Sequence, residues 1–453
     1  MRTRRPTGGE LVDTHSPLPV RCSRLLMKPQ RLFSLRNIMA PCNCRYWSRV
    51  TKRRMRAAAG VGAICLFLLF FLLQSEVPCQ QDGCQSSERA GRAVQDKSSF
   101  VTSFPVRQWR NSSTRRILRW TGFFEDKSWE ETDDRYFASC PESRCTMTND
   151  RSLLLQSDAV LLHAGALLKF FRSFPLPHQR TPEQVWILHN VEPPTRTPLD
   201  LKRFNGLINW TAIHRLDSDV PVPYGGYIKY PSGDRYGQNQ SVNFARHNIR
   251  FAAWMSSNCY DYNRRQLLIR QLKKLLGGDL DLYGACGGKR CPETICFDTI
   301  SNYKFFFAME NANCRDYITE KFWSALSRRQ VPVVLGGASS EDYRKVAPPN
   351  SFIHIGDFPN LEQLVAHLRK VGADEDAYNG YLAWTRHYDV YSELPARRRW
   401  WCDLCQALHD STRPAQVYTD LHEWYNDDTC PQWTLMNQVR RVVDGLKIKL
   451  GVL

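Results

Sequence analysis

The sequence predicts an α/β protein with two Rossmann-like domains facing a cleft, preceded by a transmembrane helix and a flexible stem. Three observations carry that expectation. Short apolar runs of strand length recur over residues 115–408, separated by polar or helical intervals. This alternation suits parallel sheets covered by helices on both faces. One stretch rich in Pro, Gly and Tyr, 221–237, breaks the rhythm as an inter-domain connection would. Ahead of it all stand seventeen uncharged residues, Ala57–Leu73, behind a basic cluster.

In chain order, residues 1–56 form a basic tail. They hold fourteen Lys or Arg and two acidic residues, so a net of +12 sits there and only +5 of the total +17 remains elsewhere. With no basic stripe interleaved with aromatics and no zinc-finger spacing, this argues against nucleic-acid binding. Residues 57–73 give a helix of roughly 26 Å, suited to a thin secretory-pathway membrane. Lys52, Arg53, Arg54 and Arg56 hold the N-terminus in the cytosol, as in a single-pass type II protein. A cleaved signal peptide is the alternative. The upstream tail and the lack of a small-x-small site near Gln74 weigh against it. A start at Met39 would leave a shorter tail. Residues 74–114 are polar with little periodicity and read as the stem.

Residues 115–237 form the first domain, with strands expected at Ile117–Trp120, Ala159–Leu162, Val185–Leu188 and Ile208–Ile213. Residues 238–408 form the second. Leu268, Ile269, Leu272, Leu275 and Leu276 give Arg265–Leu276 helical spacing, and Asp316–Arg328 and Leu361–Arg369 read as further helices. Leu280–Tyr283, Phe305–Met309, Val331–Leu335 and Phe352–Ile355 read as strands. Residues 409–453 are a C-terminal extension.

The densest chemical signal is YKFFFAMENANCRDYITEKFW, Tyr303–Trp323. A buried strand that delivers polar groups just ahead of a helix N-terminus is how α/β folds hold a nucleotide phosphate. The segment resembles the signature of the α1,3-fucosyltransferases of glycosyltransferase family 10. The likeness runs over residues 115–408 and includes VWILHNVEPP (185–194), FNGLINWTAIHRLDSDVPVPYG (204–225), VPVVL (331–335) and FIHI (352–355). It implies the two-domain B-type glycosyltransferase fold and transfer of L-fucose from GDP-fucose in α1,3 linkage to GlcNAc of a glycoprotein or glycolipid glycan.

Site roles follow from that resemblance. Lys321 and Arg265 (or Arg264, since the register after Ser257-Asn258 slips by one among relatives) would meet the charge on the leaving GDP. Asn311 and Tyr317 would hydrogen-bond the diphosphate or the sugar, and Glu320 would face the fucose. Glu192, held by Pro193 and Pro194, would act as the general base of an inverting displacement. Each residue has a plainer reading as a surface cation, a loop carboxylate or a solvated Glu–Lys pair worth a few tenths of a kcal/mol. Arg215, Asp217, Asp219 and Tyr224 would be acceptor-side contacts or scaffold. Asp217-Ser-Asp219 has the form of the metal motif of A-type enzymes, but the family implies a metal-independent site and no cofactor.

Twelve of the sixteen cysteines follow the apolar span, as do the sequons at Asn111, Asn209 and Asn239. Together they fit an oxidising, glycosylating lumen, that of the Golgi. The resemblance implies two disulfides joining Cys140 and Cys145 to Cys402 and Cys405. Cys259 with Cys314 is a further expected pair, while Cys286, Cys291, Cys296 and Cys430 stay unassigned. Ala164-Gly165-Ala166 stands where Lewis-type relatives carry a bulky acceptor contact, so a terminal Gal-GlcNAc and the innermost GlcNAc of an N-glycan both stay open. A membrane-tethered pseudoenzyme that binds glycans or sugar nucleotides is the alternative. The intact set of Glu192, Asn311, Tyr317, Glu320 and Lys321 argues for catalysis.

Overall fold

The computed structural model describes residues 96–104, 109, 112–123, 136–169, 179–197, 199–236, 242–259, 261, 263–290, 293–392, 399–427 and 429–430. They belong to one compact unit, which spans Glu76–Leu453. The basic tail and the expected transmembrane span lie outside the described residues, and no described helix is long and apolar enough to cross a membrane.

The described chain begins with a short turn, Lys97–Phe100, and strand β1 (Val101–Phe104). The first parallel sheet follows: β2 (Arg115–Arg119), β3 (Cys145–Thr148), β4 (Ala159–His163), β5 (Val185–Asn190) and β6 (Trp210–Ile213). Their spatial order is β3-β2-β4-β5-β6. After the connecting strand β7 (Gly225–Lys229), the second sheet comprises β8 (Arg250–Met255), β9 (Leu280–Tyr283), β10 (Tyr303–Met309), β11 (Val331–Leu335) and β12 (Ile353–His354). Its order is β12-β11-β10-β8-β9, again parallel throughout. Numbered from its own first strand, each sheet runs 2-1-3-4-5. That order reverses between strands one and three, where a crevice opens at the carboxyl ends.

The continuous apolar runs make these strands because both faces are covered. Every residue of β4 and β5 is buried, as are all but Lys304 of β10. Burying a large apolar side chain contributes about 1.5–3 kcal/mol relative to leaving it exposed, so these runs dominate the core. The helix Arg265–Leu276 buries Ile269, Leu272 and Leu276 on one stripe. The helix Glu320–Ser327 starts at Thr319, whose hydroxyl accepts from the Lys321 amide.

Two strands of the parallel sheets escape the sequence reading. Cys145–Thr148 alternates polar residues, and Arg250–Met255 opens with Arg and carries two alanines, so neither shows a long branched apolar run. The second is central to its sheet all the same. The 221–237 connection is also more ordered than expected: β7 pairs antiparallel with β13 (Tyr388–Ser392). At Gly225 an added Cβ would lie 2.4 Å from Trp323 Cγ, so the connection reaches the helix Glu320–Ser327 only as glycine.

Two expected boundaries are corrected. The flexible stem does not extend through residues 96–104, because β1 pairs antiparallel with β14 (Ala415–Tyr418), Phe100 is buried, and Lys97 Nζ meets Asp219 Oδ1 at 2.6 Å. The second domain does not run to residue 408 either. The helix Arg399–His409 returns to the first sheet, with Cys402 bonded to Cys140 and Cys405 to Cys145. Those two bonds join the early and late pairs as the resemblance implied. Cys259 bonds Cys286 and Cys314 bonds Cys430, which overturns the Cys259–Cys314 expectation. The short loops after β8 and β9 bring the first pair together, and the returning C-terminal segment supplies Cys430.

Candidate active site

At the second sheet the crevice lies between the ends of β8 and β10. Arg265, 1 % exposed, fills its floor. One terminal nitrogen donates to the Met309 carbonyl at 2.9 Å; the other donates to Ser256 Oγ at 2.8 Å and the Asn258 carbonyl at 2.9 Å. The expected donor cation is therefore a brace between two strand ends, its charge committed to protein oxygens. Burial pulls its pKa down, against Asp261 and Glu310. Arg264 sits half-buried at the start of the same helix, in the left-handed region at φ 61°.

Beside it, Glu310 is fully buried, a residue the sequence reading did not select. Its carboxylate accepts from the Thr319 amide at 2.8 Å and the Thr319 hydroxyl at 2.9 Å. Lys321 Nζ completes the cluster, 2.7 Å from Thr319 Oγ1, 3.0 Å from Glu320 Oε1 and 3.2 Å from Glu310 Oε2. Burial raises the Glu310 pKa despite the lysine. For Lys321, burial works downward but Glu310 and Glu320 outweigh it, so the ammonium is held more firmly. Glu320, less buried, is pushed up by burial and pulled below its ordinary value by Lys321. Asn311 Oδ1 is buried with no hydrogen-bond partner among the described residues.

The first sheet contributes from the ends of β5 and β6. Glu192 follows β5 by two residues, and burial raises its pKa against the pull of Arg196 and Lys321. Glu320 and Glu310 add to the rise. Tyr317 and Tyr224 stand edge to face at 6.0 Å, and His214 packs on Tyr317 at 5.2 Å. Tyr317 is thus an inter-domain contact as well as a neighbour of the donor loop. Tyr224 donates to the Val191 carbonyl at 2.8 Å, next to the base candidate. A cavity of about 250 Å³ is lined by His214 and Tyr224 of this cluster together with Tyr227, Asp316, Trp323 and Tyr391; neither Glu192 nor Lys321 lines it.

Asp217 and Asp219 do not converge on one point. Asp217 takes a two-pronged bond from buried Arg215, at 2.8 and 2.7 Å, plus Arg315 at 3.4 Å. Asp219 accepts from Lys97, from the Thr211 amide at 2.8 Å and from the Tyr418 hydroxyl at 2.9 Å. Both carboxylates are neutralised by protein groups, as scaffold would be. Asn209 is buried, accepting from the Trp186 amide at 2.9 Å and donating to the Gln416 carbonyl at 2.8 Å. It clamps the sheet edge, and a glycan on that nitrogen would have to be accommodated beside the Gln416 carbonyl. Asn111 and Asn239 lie outside the described residues.

Comparison with known proteins decides the family. Residues 112–225 match the family model for the N-terminal part of fucosyltransferases, and 245–424 match that for the C-terminal part of glycosyltransferase family 10 (fucosyltransferase). The chain belongs to glycosyltransferase family 10. It is similar to alpha-(1,3)-fucosyltransferase C of Drosophila melanogaster, at 32% identity over 69% of this chain and 78% of that protein. It is similar also to human alpha-(1,3)-fucosyltransferase 7, at 34% identity over 69% of this chain and 86% of the relative. A crystal structure of an alpha1,3-fucosyltransferase with GDP-fucose covers 68% of this chain and 93% of its own, at 17% identity and a TM-score of 0.42. This family member is an enzyme that transfers fucose, and the two matched regions correspond to the two sheets.

Proposed function

We propose that this enzyme transfers L-fucose from GDP-fucose, with inversion and in α1,3 linkage, to a GlcNAc-containing glycan. One observation carries the reading. The loop of Glu192 meets the donor segment directly, since Tyr224 donates to the Val191 carbonyl at 2.8 Å and packs edge to face on Tyr317 at 6.0 Å, four residues ahead of Lys321. A base and a leaving-group cation on opposite walls are what direct displacement requires. Glu192 takes the proton of the acceptor hydroxyl as that oxygen bonds the anomeric carbon of fucose. The bond from that carbon to the β-phosphate oxygen breaks, and its electron pair leaves with GDP, where Lys321 meets the charge. Attack opposite a β-linked nucleotide gives an α-fucoside. Glu320, ionised beside Lys321, steadies positive charge on the ring, and Asn311 Oδ1 accepts from a sugar hydroxyl. The reaction needs no metal on this reading, since Asp217 and Asp219 already have protein partners. Anchoring through Ala57–Leu73 in the Golgi membrane, with the catalytic unit in the lumen, suits the disulfides, which persist in oxidising compartments.

The test is incubation with GDP-fucose and a panel of glycans, including terminal Gal-GlcNAc and N-glycan core acceptors, followed by mass and linkage analysis. The expected product gains one fucose in α1,3 linkage to GlcNAc. A protein that binds GDP-fucose and transfers it to none of them is a pseudoenzyme, and the proposal falls.

A further inference from the structure

The loop carrying Glu192 is held by two buried side chains, Asn190 from the same motif and Tyr425 from far outside it. Asn190, fully buried at the end of β5, donates through Nδ2 to the Glu192 carbonyl at 2.9 Å. Its Oδ1 accepts from the Glu192 amide at 3.3 Å. Tyr425, also fully buried, donates its hydroxyl to the same carbonyl at 2.9 Å and accepts from Asn190 Nδ2. Both main-chain polar groups of Glu192 are thus occupied, and Pro193 and Pro194 limit the backbone beyond. The preceding carbonyl, Val191, is held by Tyr224, so two consecutive carbonyls each rest on a tyrosine.

Tyr425 belongs to the C-terminal segment, whose own attachments are firm. The adjacent Trp424 stacks under Arg215 at 4.2 Å. Further on, the Arg315 amide donates to the Thr429 carbonyl at 2.7 Å, and Cys430 bonds Cys314. The segment that holds Glu192 is therefore fastened to the donor loop containing Asn311 and Tyr317.

We propose that Asn190 and Tyr425 are positioning residues for the general base, setting the aim of Glu192 toward the acceptor hydroxyl from the C-terminal segment. The inference rests on the reading of Glu192 as the base. It acts through placement: a displacement of about 1 Å in a reacting group can cost on the order of a hundredfold in rate.

Tyr425→Phe keeps the ring and removes only the hydroxyl. The expected result is a fall in kcat of about 10- to 100-fold, with donor KM and GDP affinity unchanged. Asn190→Ala should show the same split between kcat and donor binding. Because both residues act through Glu192, adding Tyr425→Phe to Glu192→Gln should cost little further rate. A merely structural tyrosine would lower the melting temperature and leave kcat alone well below it; that outcome overturns the proposal. So does an equal loss in the wild-type and Glu192→Gln backgrounds. If Glu192→Gln itself transfers fucose at near wild-type rate, the base assignment fails instead.

Discussion

The two sheets share one strand order and put it to opposite uses. In the second, the crevice between strands one and three is lined with polar groups: Arg265, Glu310, buried Asn311 and Lys321. In the first, the same crevice between β2 and β4 is plugged. His163 lies there with its amide bonded to Thr121 Oγ1 at 2.7 Å, Phe123 packs on its ring at 4.7 Å, and Nδ1 of His163 meets Nδ1 of His189 at 3.1 Å. Trp400 stacks on His189 at 5.1 Å, carried in by the disulfide-tethered helix. Burial holds His163 down to about 4, so the plug is uncharged at neutral pH. The nucleotide end of one fold copy is closed, and the carboxylate proposed as its base comes from the end of the fourth strand, β5. Strand order supplies an edge, and the groups placed there decide what it does.

The strongest break of this comparison is Glu192→Gln. It should lower kcat by roughly 10²–10⁴, about 3–5 kcal/mol of barrier, while GDP binding on the other sheet survives. Calorimetry with GDP beside turnover rates separates the two; weakened GDP binding would mean the sheets do not divide the labour. Trp400→Ala opens the plug and should cost about 3–5 kcal/mol of stability in denaturant unfolding, with GDP affinity intact. A large loss of GDP affinity there would show that the first crevice takes nucleotide.

Lys321→Ala removes a charge-assisted contact worth about 1.5–3 kcal/mol, so GDP should bind about ten- to a hundredfold more weakly. It also probes the cleft. As the proposed base, Glu192 must be ionised, and burial raises its pKa, so activity should fall as pH drops through that raised value. Lys321 pulls the same pKa down, so its loss should move the acid limb of kcat/KM to higher pH. A limb that stays in place would separate the two groups. The smallest effect belongs to chelation: excess EDTA should leave transfer unchanged. Abolition by EDTA with restoration by manganese would return Asp217 and Asp219 to the donor site.

Much of the sheet framework was legible because fully buried parallel strands write themselves as apolar runs; Val185–Asn190 and Tyr303–Met309 are such cases. Arg250–Met255 was not, because its neighbours on both sides let small alanines serve as core. Glu310 was passed over for a related reason. A buried carboxylate reads as a surface one until Thr319 and Lys321, nine and eleven residues on, are seen to fold back onto it. The asparagine of Asn209-Trp-Thr matched a glycan acceptor in sequence, and only the return of Gln416 shows where its amide goes. Tyr425 carried no signal at all, since its partners lie more than two hundred residues away.

That distance has a consequence for how the enzyme comes into being. Residues 415–430 are made after both sheets, yet they cover the edge of the first and grip the loop of Glu192. A nascent chain bearing every motif residue still lacks the Tyr425 hold, the Cys314–Cys430 link and the β1–β14 pairing. Competence for transfer should therefore arrive late in biosynthesis, after the two sheets have been made and once Cys314 and Cys430 are oxidised. Maturation of this fucosyltransferase finishes with its tail.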